Sequence, residues 1–447
     1  MPLLLQKSLG VPVRRGVGRP ASRQPAFPVD WPGAFDRVTC IKAGRSTKHL
    51  RKRRWIYYSS IMTYSVPGYL AYRHYGPTTI VINNRIKTAV FLRDVGQRVW
   101  RRLLDRKEWQ PEDLPILQRL GKLGLVDSAH SEAAPADLAT HKSCDVPPSG
   151  AISLWSFRNN IPLSGHFELT GRCNLRCLHC YCTFSEKQDA LSTHDVFRII
   201  DDLHDAGTLG LVLTGGEIFV RRDIGDILTY LQERRFIIRI NTNATLLKPP
   251  ILRLVADLTN VYRIHVSLYS ANAAVHDAVT KVKGSFEKTL SNLEALKDAG
   301  HDVRINCSVL RTNAASYQEV RTTIGDGLGI PVRFDPFIFP KDDGSSDNLV
   351  EFIGRATLAE FDMFNGRRDL SEPKKAKLCK AAFSFFAIDS TGNVYPCLKM
   401  KKSMASPLGK VPQQRFGDVW RFSEQVKEIR KVLDNRLRKC SICELEI

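Results

Sequence analysis

Between residues 162 and 340, short apolar runs alternate with longer stretches of helical period. The runs His166–Thr170, Gly210–Thr214, Ile237–Asn241, Arg263–Leu268, Asp302–Val309 and Pro331–Pro336 are mostly rich in Val, Ile and Leu, as parallel strands covered on both faces are. Ser192–Ala206 opens on a capping serine and stacks Val196, Ile199, Ile200 and Leu203 on one side. Ser285–Ala299 carries Leu290, Leu293 and Leu296 and stops at Gly300, so both read as helices with start and stop signals. Six strand–helix units predict an α/β domain built on a parallel sheet. Periodicity alone fits a partial β/α barrel and a doubly wound sheet equally well.

A second pattern lies upstream, at 69–128. Thr78–Asn83 and Lys87–Arg93 read as a hairpin turning at Asn83 and Asn84. Asp94 and Gln97 form a capping box for a helix through Asp105 that buries Val95, Val99, Trp100 and Leu103. A second helix from Pro111 places Leu114, Leu117 and Leu120 inward, and Leu123–Val126 closes the unit. Residues 131–150, rich in Ala, Pro and Ser, read as a linker, and 375–447 as a third unit. Residues 1–61 have no sustained periodicity and read as a disordered arm, with Met62 an alternative start.

Charge sharpens this division. The 447 residues carry a net +20, and residues 1–130 hold 24 Lys/Arg against 8 Asp/Glu. The block Lys48–Arg54 would bind a polyanion. No apolar stretch is long enough to span a membrane, and Met1–Gly10 lacks a signal-peptide core. A cytoplasmic protein is expected.

Seven of the eleven cysteines fall in two sets. Cys173, Cys177 and Cys180 follow the first predicted strand with spacing Cys-x3-Cys-x2-Cys, on the end of a β/α barrel that carries chemistry. Three thiolates on an iron–sulfur cube leave one iron open to a small molecule. The other reading is zinc, with Cys182 or His179 as fourth ligand. One strand–helix unit later, Leu211–Thr214 runs into Gly215, Gly216 and Glu217. Glycines let a ligand approach the backbone, and the carboxylate can pair with an ammonium group. Near the C-terminus, Cys379 and Cys397 flank Gly392, and Cys440 and Cys443 form a Cys-x2-Cys pair. Ala387–Cys397 reads as a hairpin turning at Gly392, and the four thiols as a metal or redox site, cluster or zinc. Cys40, Cys144, Cys182 and Cys307 read as ordinary residues.

Cysteine run and Gly-Gly-Glu together resemble the radical S-adenosylmethionine (SAM) enzymes. That resemblance implies a partial (β/α)6 barrel in which Cys173, Cys177 and Cys180 hold a [4Fe–4S] cluster. Its open iron binds the methionine end of SAM, and Gly215, Gly216 and Glu217 meet the methionine amino group. One electron then cleaves SAM to methionine and a 5′-deoxyadenosyl radical that takes hydrogen from the substrate; flavodoxin or ferredoxin would supply the electron. The resemblance also places Asn241, Asn243 and Ser267 against the ribose or carboxylate of SAM, with Arg304 and Asn306 weaker candidates. The 375–447 unit resembles the SPASM extension and its shorter variant Twitch. A full SPASM domain has three or more further cysteines in this last stretch; here the chain stops at Ile447, which implies one auxiliary [4Fe–4S] cluster on Cys379, Cys397, Cys440 and Cys443.

Residues 69–128 resemble the small winged-helix module that binds leader peptides in systems making ribosomally synthesised, modified peptides. That module takes up the leader as an added strand. The implied function is oxidative modification, such as a crosslink, of a precursor peptide. Two others stay open: a radical SAM dehydrogenase or cofactor-pathway enzyme acting on a small molecule, and a non-catalytic metal-binding adaptor for nucleic acid. The adaptor is disfavoured by the absence of aromatics interleaved with the basic residues. No catalytic base is assigned; Asp335 would serve as one or cap a strand.

Overall fold

Six parallel strands, the first four of them followed by α-helices, form the body of the protein. In the computed structural model, which describes residues 37–40, 64–85, 88–128, 148–182, 189–354 and 379–440, an N-terminal sheet precedes them. That sheet comprises β1 (Arg37–Cys40), β2 (Leu70–Tyr75), β3 (Thr78–Asn83) and β4 (Thr88–Arg93), in the order β1-β4-β3-β2. Helices α1 (Asp94–Leu104) and α2 (Leu114–Lys122) follow. Strands β2, β3 and β4 are antiparallel, and β1 adds to β4 in parallel. One face buries Leu70, Val81, Val90 and Leu92 against Trp100, Leu117 and Leu120 of the two helices. The other face buries Ala71, Ile80, Ile82 and Phe91 with Leu209 and Ile237, at the starts of two barrel strands.

The barrel sheet has nine strands. Helix α3 (Pro148–Arg158) leads into β5 (Ser164–Thr170), α4 (Thr193–Asp205), β6 (Gly210–Gly215), α5 (Ile224–Glu233), β7 (Ile237–Thr242) and α6 (Pro249–Asp257). Then come β8 (Val261–Ser267), α7 (Ala273–Thr280), α8 (Ser285–Asp298), β9 (Val303–Ser308) and β10 (Val332–Asp335). Strand order is β10-β9-β8-β7-β6-β5, followed by β11 (Phe385–Ile388), β12 (Asn393–Tyr395) and β13 (Gly409–Lys410). Phe167, Leu169, Leu211, Leu213, Ile238, Ile240, Ile264, Val266 and Ile305 share one buried cluster with the α4, α5 and α8 side chains. By alternation, residues one position away face the barrel interior. Ser192 caps α4 in a capping box with Asp195.

The C-terminal unit is built into this sheet. Strand β11 pairs in parallel with β5, and its phenylalanine explains a glycine: a Cβ on Gly165 would lie 2.4 Å from the Phe386 ring. Phe386 packs on Phe416 and Trp420 of α9 (Phe416–Phe422), and the Trp420 indole donates to the Asn160 carbonyl at 2.6 Å. Helix α10 (Glu424–Cys440) ends the described chain. The hairpin expected around Gly392 is present as β11–β12; Gly392 has φ +88°, and a Cβ there would meet the Val411 carbonyl at 2.0 Å.

Several local expectations need correction. Strand β2 was absent from the sequence reading. Asp94 and Gln97 make no capping box: Asp94 opens α1 without a side-chain cap, and the Gln97 amide donates to the Gly76 carbonyl on the neighbouring turn. The capping box lies instead at Gln110 and Asp113, at the head of the second helix. There Ile116, Leu117 and Leu120 are buried and Leu114 only half so. Within the arm, Arg37–Cys40 forms a strand; the rest of 1–61 and the whole 131–147 stretch fall outside the described residues.

Candidate functional site

The cysteine loop, 171–182, is clamped on three sides. From α7, the Thr280 and Val279 carbonyls accept from the Arg176 and Leu178 amides at 3.0 and 2.9 Å. From beyond β10, the Asn348 amide donates to the His179 and Cys180 carbonyls. From β7, the Asn243 amide donates to the Asn174 side chain at 3.1 Å, while Asn174 donates to Thr245 at 2.7 Å. Hydrogen-bond donors also reach the sulfurs. The Leu175 N–H lies 3.4 Å and the Asn243 amide 3.9 Å from Cys173 Sγ, and the Tyr269 hydroxyl lies 4.0 Å from Cys177 Sγ. Burial pushes the Cys173 thiol up to about 11 and Cys177 higher still, so thiolates here come with a bound cation. His179 stacks edge-on against Tyr269, and burial lowers it to about 4. Cys182 is buried, with its thiol beside that of Cys180.

The two glycines have a specific cause. Gly215 has φ +129°, and a Cβ would sit 2.2 Å from the Thr170 carbonyl; on Gly216 it would sit 2.2 Å from the Arg172 carbonyl and 3.0 Å from Cys173 Cβ. The Gly216 and Glu217 amides donate to those carbonyls, each at 2.9 Å. What approaches the glycine backbone is thus the cysteine loop itself, so that β5 and β6 end as one unit. Glu217 is 1% exposed. Its oxygens accept from Thr242 Oγ1 at 2.8 and 2.9 Å, Asn243 N at 2.6 Å and Phe219 N at 3.1 Å. Burial raises it to about 7 despite these donors. Its carboxylate joins β6 to β7 and faces protein donors on both oxygens.

The other predicted contacts sit on the inner face. Asn241 Oδ1 is buried without a partner, Ser267 lies beside Tyr269 at the end of β8, and Asn243 belongs to the cysteine clamp. Asp335 Oδ1 accepts the Phe337 amide at 3.0 Å, a strand cap.

A buried ionic knot was missed. Lys401, after β12, reaches Glu168 and Asp342 at 3.2 Å each and Asp389 at 3.8 Å. Tyr181 donates to Glu168 at 3.2 Å. Burial raises Glu168 to about 7 against the pull of Lys401. Lys401 and its three carboxylates line a cavity of about 100 Å³ with Cys182, Gly171 and Gly215. They fix the C-terminal unit to the cysteine loop. The carboxylate inside the apolar run Phe167–Leu169 was the available signal.

In the C-terminal set, the Met400 and Lys399 amides point at Cys397, whose thiol burial pushes up and Cys379 raises further. Cys379 is exposed. Cys440 ends α10 and Cys443 lies outside the described residues. Among the described residues, no three His, Cys, Asp or Glu side chains converge as a single metal ion would need.

Residues 167–320 match the family described as the radical SAM superfamily, and residues 379–444 match SPASM, an iron–sulfur cluster-binding domain. The chain carries a radical SAM domain followed by a SPASM domain. Its cofactors follow: a [4Fe–4S] cluster with SAM, and auxiliary iron–sulfur binding in the SPASM domain. The antilisterial bacteriocin subtilosin biosynthesis protein AlbA of Bacillus subtilis is 29% identical over 67% of this chain and 65% of its own length. An AdoMet-dependent heme synthase of Methanosarcina barkeri is 27% identical over 64% of this chain and 89% of that protein. The crystal structure of Streptococcus suis SuiB bound to precursor peptide SuiA has the same fold, with TM-score 0.55 at 16% identity over 82% of this chain and 90% of that one. The radical SAM domain fits its cluster on this chain's own terms. Three thiols lie on one clamped loop, N–H and O–H donors face two of the sulfurs, and two glycines hold that loop on β6. No helix among the described residues is long and apolar enough to cross a membrane.

Proposed function

We propose that this chain is a radical SAM enzyme that oxidatively modifies a ribosomally made precursor peptide. Cys173, Cys177 and Cys180 are assigned to the SAM-binding cluster, and Cys379, Cys397, Cys440 and Cys443 to one auxiliary cluster. When bound, the first cluster with SAM supplies one-electron chemistry that removes hydrogen from a substrate. The chain's own part is positional: Gly215, Gly216 and Glu217 keep the loop on β6 and β7, and the α7 carbonyls and Asn348 hold it from the far side. The observation that carries the peptide reading is the extent of the shared fold. The likeness to SuiB bound to its precursor peptide covers 82% of the chain, beyond the two matched domains, and AlbA is named for bacteriocin biosynthesis.

Residues 64–128 constrain how a leader would dock. The β4 edge of the hairpin is filled by β1. On the β2 edge, Arg235 donates to the Leu70 carbonyl at 3.1 Å and Arg73 to the Tyr72 carbonyl at 2.7 Å. Strand addition therefore requires displacing either β1 or these guanidiniums.

The second reading, a small-molecule substrate, is favoured by the heme synthase relative, 89% of whose length is matched. The test is the intact mass of short peptides encoded beside this gene, co-expressed with it anaerobically. Loss of two hydrogens, abolished by Cys177→Ala, is expected. An unchanged mass with SAM still cleaved would transfer the assignment to a small molecule.

A further inference from the structure

Three consecutive barrel strands carry the same tripeptide pattern: Arg239-Ile240-Asn241 on β7, Arg263-Ile264-His265 on β8 and Arg304-Ile305-Asn306 on β9. In each, the isoleucine is buried among the helices, which turns the arginine and the Asn or His toward the barrel interior. Arg333-Phe334-Asp335 continues the pattern on β10. Register sets the side chains abreast: Arg239 faces Arg263, His265 faces both Asn241 and Arg304, and Asn306 faces Arg333. A parallel strand covered on both faces is normally apolar throughout, so four arginines on one inner face call for a reason.

Their counter-charges are too few. Asp302 takes Arg263 at 2.7 Å and Arg304 at 3.5 Å, and Asp335 stands 3.8 Å from Arg333. The Arg239 guanidinium has no hydrogen-bond or ion-pair partner among the described residues, and its Nε is buried. A half-buried guanidinium whose Nε is shut away from water without a partner is costly and favours an anion. A neighbouring donor points the same way. The Asn306 amide donates to His265 Nδ1 at 3.1 Å, which leaves the imidazole proton on Nε2. That atom too is buried and unpartnered. The surrounding field is positive enough that burial, then Arg239, Arg263, Arg333 and Arg304, lower His265 to about 3.

We propose that the inner face of β7–β10 is a subsite for a substrate carboxylate, anchored by Arg239 with His265 Nε2–H as second donor. The proposal rests on the radical SAM reading and adds the chemical class of group that the substrate presents. Arg239 lies four residues before Asn243 at the cysteine loop, about 13 Å along the strand. A carboxylate held there leaves the reacting part of the substrate between the anchor and the cluster. Arg333, largely exposed on the edge strand, marks the open side by which an anion would enter.

The test uses the full chain with its clusters loaded and SAM saturating. Equilibrium dialysis compares N-acetyl-glutamate methylamide, N-acetyl-glutamine methylamide and free glutarate. The expected result is a preference of about tenfold or more for a carboxylate probe over the glutamine probe, lost in Arg239→Gln and partly kept in Arg239→Lys. Binding of the capped glutamate identifies a peptide carboxylate, and binding of glutarate alone a small-molecule one. Equal binding of the glutamate and glutamine probes, or a preference unchanged in Arg239→Gln, overturns the subsite. If Arg239→Gln loses its iron, Arg333→Gln at its exposed position takes its place, with a weakened preference expected and an unchanged one counting against the proposal. A peptide that is modified without any carboxylate preference would sink the subsite alone and leave the proposed function standing.

Discussion

The two halves of the barrel's inner surface are built on opposite terms. At the ends of β5, β6 and β7, most polar groups answer one another, His166 Nδ1, His179 Nδ1 and Asn348 Oδ1 excepted: the glycine amides find loop carbonyls, Glu217 finds four contacts to three donor groups, and Asn243 ties β7 to the cysteine loop. Across β7–β10 they do not: Arg239 Nε, Asn241 Oδ1, His265 Nε2 and Asn306 Oδ1 are buried and unmatched. The first arrangement holds a cofactor's ligands in place before anything binds. The second costs stability until something binds. Preorganised cradles and substrate faces differ in this way because a rigid site must satisfy itself, whereas a recognising site keeps its capacity for the guest.

Substitutions should separate the two halves. Largest is Gly216→Ala, whose Cβ would collide with the Arg172 carbonyl; a loss of about 3 kcal/mol in unfolding free energy and most of the iron at the cysteine loop is expected, read by denaturant titration and iron analysis. Retention of full iron would show that the close glycine contact is dispensable. Next, Thr242→Val removes a donor to buried Glu217 and should cost about 1–3 kcal/mol by the same titration. In the opposite direction, Arg239→Gln removes an unpaired guanidinium and should leave stability unchanged or raise it by about 1 kcal/mol. A loss as large as that of Thr242→Val would erase the contrast between the halves.

Smallest is a pH effect. Burial raises Glu168 to about 7 in the fold, from the ordinary carboxyl value of 4.5. A carboxyl raised in the folded state binds its proton more tightly than in the unfolded chain, so its stabilising contribution is complete below pH 4.5 and is lost as pH climbs to about 7. Thermal unfolding between these limits should fall less steeply with pH in Glu168→Gln. An identical slope would mean that the knot with Lys401 does not titrate there.

Much of this was legible in the chain because it is local. The six strands, the Ser192 cap and the Gly300 stop were readable from period and punctuation. So were the strand-end positions of Cys173 and Gly215. What stayed hidden depends on partners far along the chain. That β11 joins β5, and that Gly165 exists to admit Phe386, leave no trace in either segment alone. Lys401 reads as one more surface cation until Glu168 and Asp342 from distant segments, and Asp389 from the preceding hairpin, surround it. Strand β2 was missed because the polar Arg73 and His74 interrupt its apolar pattern; Arg73 is buried by donating to the Arg234 carbonyl on the barrel. The arginine tripeptides were visible, yet read strand by strand they look like ordinary polar interruptions; their meaning lies in the register that sets them side by side.

Everything proposed for the barrel depends on which cysteines carry the SAM chemistry. The deciding measurement is 5′-deoxyadenosine formed from SAM by the reduced, cluster-loaded protein, run side by side for the unaltered chain, Cys177→Ala and Cys379→Ala. Product from the first and third, and none from the second, is the predicted result. Product from Cys177→Ala, or none from an unaltered chain carrying its full iron, would contradict it.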